Sequence, residues 1–215
     1  MPANLRNRTN RARRAPLPGR RDNKFAARMI RLNVPVLELA CELIGATLLI
    51  DGVGGVIVET EAYAAAEEAS HSYGGPRKRN AVMFGPVGRA YVYRIYGLHW
   101  CLNVVGGERP GSAVLIRALE PTHGLEAMAA RLGLRAPTKL CNGPGKLAQA
   151  LGVDGSLNGR PLDQPPFQLM PRPTVPTIVT GPRIGIKKAT ELPWRFGLER
   201  SSHLSRPFAS VTQAG

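Results

Sequence analysis

Two carboxylates and a phenol alternate along the segment VETEAY, at Glu59, Glu61 and Tyr63. In a β-strand alternate side chains lie on the same face, so these three groups would point to one side of the strand. The residues between them would point to the other side, where they can enter a core. Such a strand can present a carboxylate for general acid or base catalysis, and it is the first candidate for a catalytic site.

The segment YVYRIYGLHWCLNV, at 91–104, has the pattern of a β-hairpin. Tyr91, Tyr93 and Ile95 would share one face, and a turn at Tyr96 to His99 would present a large ring beside a glycine. A ring at the tip of a hairpin can insert between stacked bases. Together with the acidic strand, this hairpin suggests a protein that opens a nucleic-acid stack and attacks the nucleotide that leaves it.

The charge of the chain favours nucleic acid as a partner. Its 215 residues include 29 Lys and Arg against 15 Asp and Glu, a formal net charge of +14, and an excess of this size favours a polyanion. Residues 1–28 hold nine of the basic residues and one of the acidic ones, so we expect a disordered basic tail there. The tail could tether the protein to DNA, or it could be an incidental extension or an address signal.

The length indicates one folded domain, which we place at residues 29–205, followed by a C-terminal tail at 206–215. The three cysteines are odd in number and lack metal-ligand spacing, which argues against a disulfide framework and a structural zinc. No apolar run is long enough for a transmembrane helix. We expect no metal, no cofactor and no membrane partner. The expected location is the cytoplasm of a bacterium, in association with the nucleoid, or the nucleus or an organelle if the protein is eukaryotic.

The elements that must position these groups are predicted from periodicity and turn residues. They are a helix at 33–45, strands at 46–50 and 56–63 around a Gly-rich turn, the hairpin to Val105, a strand at 112–119, a helix capped by Thr122 and ending at Gly133, a second helix from about 140 to Gly152, and strands at 178–186 and 194–198. A proline-rich connection at 153–176 precedes the last two strands. The pattern mixes helices with strands joined by short turns.

Two groups of basic residues could meet phosphates. Arg77 and Arg79 follow a Gly-Gly-Pro turn in a long loop at 64–88, where the alternative is a solvated loop. Lys146 follows Gly143-Pro144-Gly145 at a predicted helix start, where free N–H groups and the helix dipole favour anions. The spacing of a P-loop is absent there.

Arg117 lies among apolar neighbours in its predicted strand, and a buried charge of this kind needs a partner. Glu61 is the first candidate for that partner. Glu59 shares a face with Glu61 and could either perturb its ionisation or form a structural salt bridge.

Six segments in a fixed order resemble the alkyladenine (3-methyladenine) DNA glycosylase family, the family that includes the human enzyme. They are VETEAY, HSYGGPRKRNAVMF, YVYRIYGLHWCLNV, VLIRALEP, LCNGPGKL and PRIGI. The resemblance runs from about Asn33 to Phe196. It implies an α+β fold, a single domain with a curved antiparallel sheet, flanking helices and a protruding β-hairpin. It also implies a monofunctional glycosylase, expected to be a monomer, that acts on double-stranded DNA containing damaged purines.

The resemblance assigns catalytic and stacking roles residue by residue. It makes Glu61 the general base and Arg117 the residue that helps to hold the catalytic water. It makes Tyr63 and Tyr93 the two walls between which a flipped base stacks. In the family's C-terminal pattern a glycine is followed shortly by an aromatic residue and Val-Ser, whereas this chain has Ser-Ser-His-Leu-Ser at 201–205. The backbone carbonyl expected to hold the water from the far side therefore has no assigned residue.

The remaining assignments concern the pocket and the duplex. The resemblance makes His71 a pocket residue and Asn103 the residue that crowds the guanine 2-amino group. It makes Tyr96 the side chain that fills the gap in the duplex, with Leu98 as an apolar contact beside it, where some family members carry methionine.

The implied reaction is simple base excision that leaves an abasic site. Alkylation of a purine ring nitrogen gives the base a positive charge and makes it a good leaving group, so one carboxylate can suffice. None of the six lysines is placed by a motif as an amine nucleophile. Alkylated, deaminated and etheno-adducted purines all remain candidate substrates. The alternative is a non-catalytic nucleic-acid-binding module on the same fold.

Overall fold

The structure is a computed structural model that describes residues 29–208, so the predicted basic tail and positions 209–215 lie outside the described residues. A single antiparallel sheet with helices packed against it runs through the described chain. The predicted α+β fold with a curved antiparallel sheet is confirmed. None of the helices within residues 29–208 is long and apolar enough to cross a membrane.

Eight strands build the sheet of the described residues. Their bounds are β1 Thr47–Ile50, β2 Val53–Tyr63, β3 Ala90–Ile95, β4 His99–Val105, β5 Ala113–His123, β6 Phe167–Met170, β7 Ile178–Gly181 and β8 Arg195–Leu198. β2 is the central strand, because it pairs with β5 along one edge and with β1 and then β8 along the other. β3 and β4 extend the sheet beyond β5, β6 lies outside β1, and β7 lies outside β8. All of these pairings are antiparallel.

The helices cover one face of this sheet. They are α1 Val36–Leu43, α2 Leu125–Leu132, α3 Pro137–Leu140 and α4 Pro144–Leu151, with 3₁₀ turns at Lys78–Phe84 and Gly155–Leu157. Leu39 and Leu43 of α1 and Leu147 of α4 are fully buried in the same core cluster as Ile57 and Ile116 of the sheet. Apolar residues at helical spacing therefore seal one face of the sheet and leave the other face of β2 free for polar groups.

The helix predicted from Thr122 begins later, at Leu125, because β5 continues to His123. The last residues of β5 pair with Gly54 and Gly55 of β2. A Cβ atom on Gly55 would lie 1.9 Å from a backbone oxygen of β5, so the glycines permit this close pairing. The prediction that Thr122 caps a helix is therefore wrong.

Two other predictions need correction. The strand predicted at 178–186 ends at Gly181, and residues 182–186 form a loop instead. The region 153–176, predicted as a connection, contains the edge strand β6. Both differences depend on long-range pairing, with β8 in the first case and β1 in the second.

The hairpin of β3 and β4 protrudes as predicted and turns through two residues. Tyr96 and Gly97 both have positive φ, +53° and +67°, and the Leu98 N–H donates to the Ile95 carbonyl at 3.1 Å. Turns of this kind match the twist of paired strands. The tip leaves Tyr96 and Leu98 81% and 73% exposed.

Candidate active site

A cavity of about 860 Å³ opens between the hairpin, the loop after β2 and the loop after β7. It gathers side chains from four strands and two loops. Seven residues predicted from the sequence line it, namely Tyr63, His71, Arg79, Tyr93, Tyr96, Asn103 and Arg117. The structure therefore brings together residues that lie up to 54 positions apart between Tyr63 and Arg117.

Glu61 lies directly behind the cavity wall and is fully buried. Its Oε2 accepts a hydrogen bond from the Tyr63 hydroxyl at 2.8 Å, and its Oε1 accepts one from the Ile184 backbone N–H at 2.7 Å. The same Oε1 lies 3.2 Å from Nη1 of Arg117. All three partners line the cavity. Glu61 itself is not among the lining residues, and it lies one hydrogen bond or ion pair away from them.

Arg117 is buried between the two glutamates of β2. Its Nε donates to Glu59 Oε1 at 2.9 Å, which is closer than its 3.2 Å contact with Glu61. The predicted pairing with Glu61 is confirmed, and Glu59 is an additional partner. Burial alone would lower the pKa of Arg117, but the charges of Glu61 and Glu59 outweigh it and raise that pKa. The guanidinium is a fixed positive charge.

Glu59 is a salt-bridged carboxylate, as one of the two alternatives for it predicted. Besides Arg117, it accepts a hydrogen bond from Arg195 Nε at 2.8 Å and from the Ser205 hydroxyl at 2.7 Å. The Ser205 backbone N–H also donates to it. All of these groups lie on the sheet face that also carries Glu61.

Aromatic rings form one wall of the cavity. The rings of Tyr91 and Tyr93 lie 5.4 Å apart, and the His71 ring packs against Tyr93 at 4.4 Å. His71 Nδ1 is hydrogen-bonded to the Tyr91 hydroxyl at 2.9 Å. Tyr63 lines the cavity from β2. The walls therefore come from different strands, as stacking of a flat ligand requires.

The wall groups are neutral at neutral pH. Burial raises the pKa of Tyr91 to about 12 and also raises the pKa values of Tyr63 and Tyr93, with the Glu61 charge adding to the effect at Tyr63. Burial, and then the charge of Arg79, lower the pKa of His71. A positively charged base entering the cavity would meet neutral rings and not a second cation on His71.

A family model for Methylpurine-DNA glycosylase matches residues 31–202. The chain belongs to the methylpurine-DNA glycosylase family. This DNA glycosylase is therefore a hydrolase with a role in DNA repair, and DNA is its substrate. Family membership favours an enzyme over the non-catalytic module considered from the sequence.

Relatives of this glycosylase come from several bacteria, and three of them carry the description "Putative 3-methyladenine DNA glycosylase". A protein of Rhodopseudomonas palustris is 60% identical over 195 residues, which is 90% of this chain and 96% of the relative. A Bradyrhizobium diazoefficiens protein is 58% identical and covers 80% of this chain and 87% of its own length. A Nitrosospira multiformis protein is 56% identical, with 80% and 90% covered.

Asn103 lines the glycosylase cavity with a hydrogen-bonded side chain. It is buried on β4, opposite Tyr91 of β3, and its Nδ2 donates to the Tyr91 carbonyl at 2.9 Å. That bond fixes the orientation of the amide. A group fixed in this way can discriminate between bases by steric contact.

The predicted DNA-binding residues of the glycosylase divide into two groups. Tyr96 and Arg79 line the mouth of the cavity. Arg77, Leu98 and Lys146 are exposed and do not line it. Lys146 lies in the first turn of α4 and contacts Asn142 Oδ1 at 3.1 Å, while Pro144 of the same turn lines the cavity.

The loop at 184–188 lines the cavity, although the sequence did not predict it as part of the site. Arg183 holds this loop in place through two hydrogen bonds to Glu67, at 2.7 and 2.8 Å, and one to the Ala62 carbonyl at 3.0 Å. Its guanidinium also lies 4.7 Å from the centre of the Tyr63 ring. The PRIGI segment was part of the family resemblance, but it was predicted as a strand. The sequence therefore did not indicate that it lines the cavity as a loop.

Arg195 and Ser205 of the glycosylase were also missed. Arg195 stands among apolar residues in the segment WRFGL, which is the signal that identified Arg117 as a residue in need of a partner. Ser205 carries no such signal, because its bond to Glu59 joins positions 146 residues apart.

Proposed function

We propose that this enzyme flips a damaged purine out of duplex DNA and hydrolyses its N-glycosidic bond with a water molecule activated by Glu61. The observation that supports this most is the buried carboxylate held against an aromatic cavity by Tyr63, Ile184 and Arg117. A carboxylate offers about four acceptor sites. Two hydrogen bonds and the ion pair with Arg117 leave Glu61 an acceptor site for a water that enters with the substrate.

The chemistry follows from these positions. Glu61 takes a proton from the water while the water oxygen bonds to C1′ of the sugar. The electron pair of the glycosidic bond leaves with the base, so a cationic alkylated base departs as a neutral one. The transition state resembles an oxocarbenium ion, which the Glu61 carboxylate stabilises electrostatically. Arg117 lies 3.2 Å from that carboxylate and holds the water.

Extrusion of the nucleotide costs a few kcal/mol. Stacking between rings such as Tyr63 and Tyr93 recovers about 1–3 kcal/mol. Tyr96, exposed at the hairpin tip, fills the vacancy in the duplex, with Leu98 beside it. Arg77, Arg79 and Lys146 contact the phosphates. Asn103 crowds the 2-amino group of guanine and so selects against undamaged guanine.

The proposed substrates are alkylated purines, together with deaminated and etheno-adducted purines that fit the same cavity. The printed names of the relatives refer to 3-methyladenine, which supports the first class. We also propose that the enzyme acts as a monomer on the chromosome in the bacterial cytoplasm. Residues of one chain supply both the carboxylate and the aromatic walls.

Base release from a duplex with one methylated purine tests the proposal. The wild type should release free base and leave the strand intact until alkali cleaves the abasic site. Glu61→Gln should bind the duplex but release base about 10²–10⁴-fold more slowly, because it has lost the general base. Glu120→Gln is the matched control, since Glu120 is exposed on β5 and does not line the cavity.

Two results would contradict the proposal. One is base release by Glu61→Gln at the wild-type rate. The other is strand cleavage by the wild type without alkali, which would indicate an amine nucleophile in place of water.

A further inference from the structure

The proposed general base, Glu61, belongs to a cluster of four buried charged residues. Glu59 and Glu61 on β2 are fully buried, and Arg117 on β5 and Arg195 on β8 are 5% and 4% exposed. Arg195 lies opposite Glu61 in the pairing of β8 with β2. The formal charges of two carboxylates and two guanidiniums cancel, so the cluster buries no net formal charge.

The two arginines divide their contacts unequally. Arg195 Nε donates to Glu59 at 2.8 Å, and no contact between Arg195 and Glu61 is seen in the described structure. Arg117 contacts both glutamates. Arg195 therefore supplies Glu59 with a second counter-charge, so the contact of Arg117 with Glu61 does not leave Glu59 without a cation.

Each nitrogen of the Arg117 guanidinium has one partner. Nε donates to Glu59 at 2.9 Å, Nη1 lies 3.2 Å from Glu61, and Nη2 donates to the Ser205 hydroxyl at 3.2 Å. A planar guanidinium with three separate partners cannot rotate without breaking a bond. The plane of Arg117 is thus set by residues that do not touch the cavity.

The segment after β8 closes this arrangement. Ser205 donates to Glu59 through both its backbone N–H and its hydroxyl. Arg195 donates to the carbonyl of Arg206, and its guanidinium lies 3.8 Å from the centre of the Phe208 ring. Residues 205–208 therefore anchor the arginine and the glutamate that hold Arg117.

We propose that Glu59, Arg195 and Ser205 are positioning residues that orient Arg117 and balance the charge beside Glu61. They act through Arg117 and do not contact the substrate. The inference rests on the proposed role of Glu61 as the general base. It assigns a function to Ser205, in the C-terminal segment where the sequence analysis left the role of 201–205 unassigned.

The groups that can influence Glu61 come from every neighbouring strand. They are Glu59 and Tyr63 on β2, Tyr93 on β3, Cys101 on β4, Arg117 on β5 and Arg195 on β8. Burial raises the pKa values of Tyr63, Tyr93 and Cys101, so these stay neutral. Among these groups of the described residues, Glu59 and the two arginines are the ones whose replacement changes the formal charge near Glu61.

The test is the single-turnover rate of base release against pH, measured on a duplex with one methylated purine. Arg195→Gln leaves the cluster with one excess negative charge, so the acid side of its profile should move to higher pH. Glu59→Gln leaves one excess positive charge, so its acid side should move to lower pH. Arg195→Lys keeps the charge and is the matched control, with its acid side where the wild type has it.

Opposite shifts are the decisive result, because a loss of packing alone would not move the two profiles in opposite directions. Thermal unfolding establishes that each variant is folded at the assay temperature. Shifts in the same direction, or no shift, would overturn the inference.

Ser205→Ala keeps the test conclusive if a charge variant does not fold. It removes the hydroxyl contacts with Glu59 and Arg117 but retains the backbone bond. Loss of these two hydrogen bonds to charged groups should lower the plateau rate by about tenfold or more, with unchanged affinity for DNA. An unchanged plateau rate would overturn the inference. Activity in Glu61→Gln would instead overturn the proposed function, which separates the two failures.

Discussion

Tyr96 combines a strained backbone with an exposed side chain. Its φ of +53° lies in the left-handed region, which costs a residue with a side chain about 1–2 kcal/mol. Its ring is 81% exposed and so gains little from packing. Strain retained at an exposed position indicates a function, and the function proposed for Tyr96 is insertion into the duplex.

Replacing Tyr96 with Asn should separate stability from activity. Asn is favoured before Gly97 in this type of turn, so the melting temperature of Tyr96→Asn should equal or exceed that of the wild type. Base release from a duplex should fall, while release from a single strand with the same lesion should fall much less, because a single strand leaves no gap to fill.

Val175→Asn is the matched control, since Val175 is 70% exposed and does not line the cavity. If Tyr96→Asn lowered the rate of base release by the same factor on the duplex and on the single strand, Tyr96 would serve binding and not insertion.

At the scale of elements, the loop at 184–188 depends on one buried ion pair. Arg183 and Glu67 are each under a tenth exposed and share two hydrogen bonds. The pair connects the loop after β2 with the loop after β7, and both loops line the cavity. The same guanidinium supports the Tyr63 ring.

Glu67→Gln should lower the free energy of unfolding by about 3–5 kcal/mol, because it leaves the Arg183 charge buried without a counter-charge. Chemical denaturation measures this. The neighbouring pair of Glu68 and Lys188 is exposed, with a distance of 3.5 Å, so Glu68→Gln should cost less than about 1 kcal/mol. Equal losses in the two variants would contradict the structural role of Arg183.

Local patterns were sufficient to predict the elements around the carboxylate. The alternation in VETEAY and YVYRIYG identified β2 and the hairpin, and α1 followed from its apolar spacing. The end of β5 was mispredicted because it depends on Gly54 and Gly55, more than sixty residues away. The loop at 182–186 was mispredicted because β-branched residues favour a strand wherever no partner is considered.

The site was predictable where a charged residue in an apolar strand needed a partner of opposite charge. A carboxylate strand and an arginine among apolar residues identified Glu61 and Arg117 as partners, and the structure pairs them. Ser205 was not predictable in this way, because a serine in a C-terminal segment is ordinarily solvated. The contacts of the segment at 201–208 with Glu59 and Arg195 become visible only in the folded structure.

At the scale of the whole molecule, the central strand connects all the parts of the site. β2 carries both glutamates, and its neighbours β5 and β8 supply the two arginines. The hairpin at the sheet edge presents a ring beside the cavity that these strands form. We propose that the buried strands hold the catalytic groups and that the protruding hairpin contacts the duplex.

A crystal structure of Glu61→Gln bound to a duplex with one methylated purine tests the central claim most directly. The account predicts the damaged purine inside the cavity against Tyr63 and Tyr93, the Tyr96 ring in the vacated stack, and one water molecule between residue 61 and the sugar C1′. A purine that remains stacked in the duplex, or a C1′ atom too far from residue 61 for one water to bridge, would contradict it.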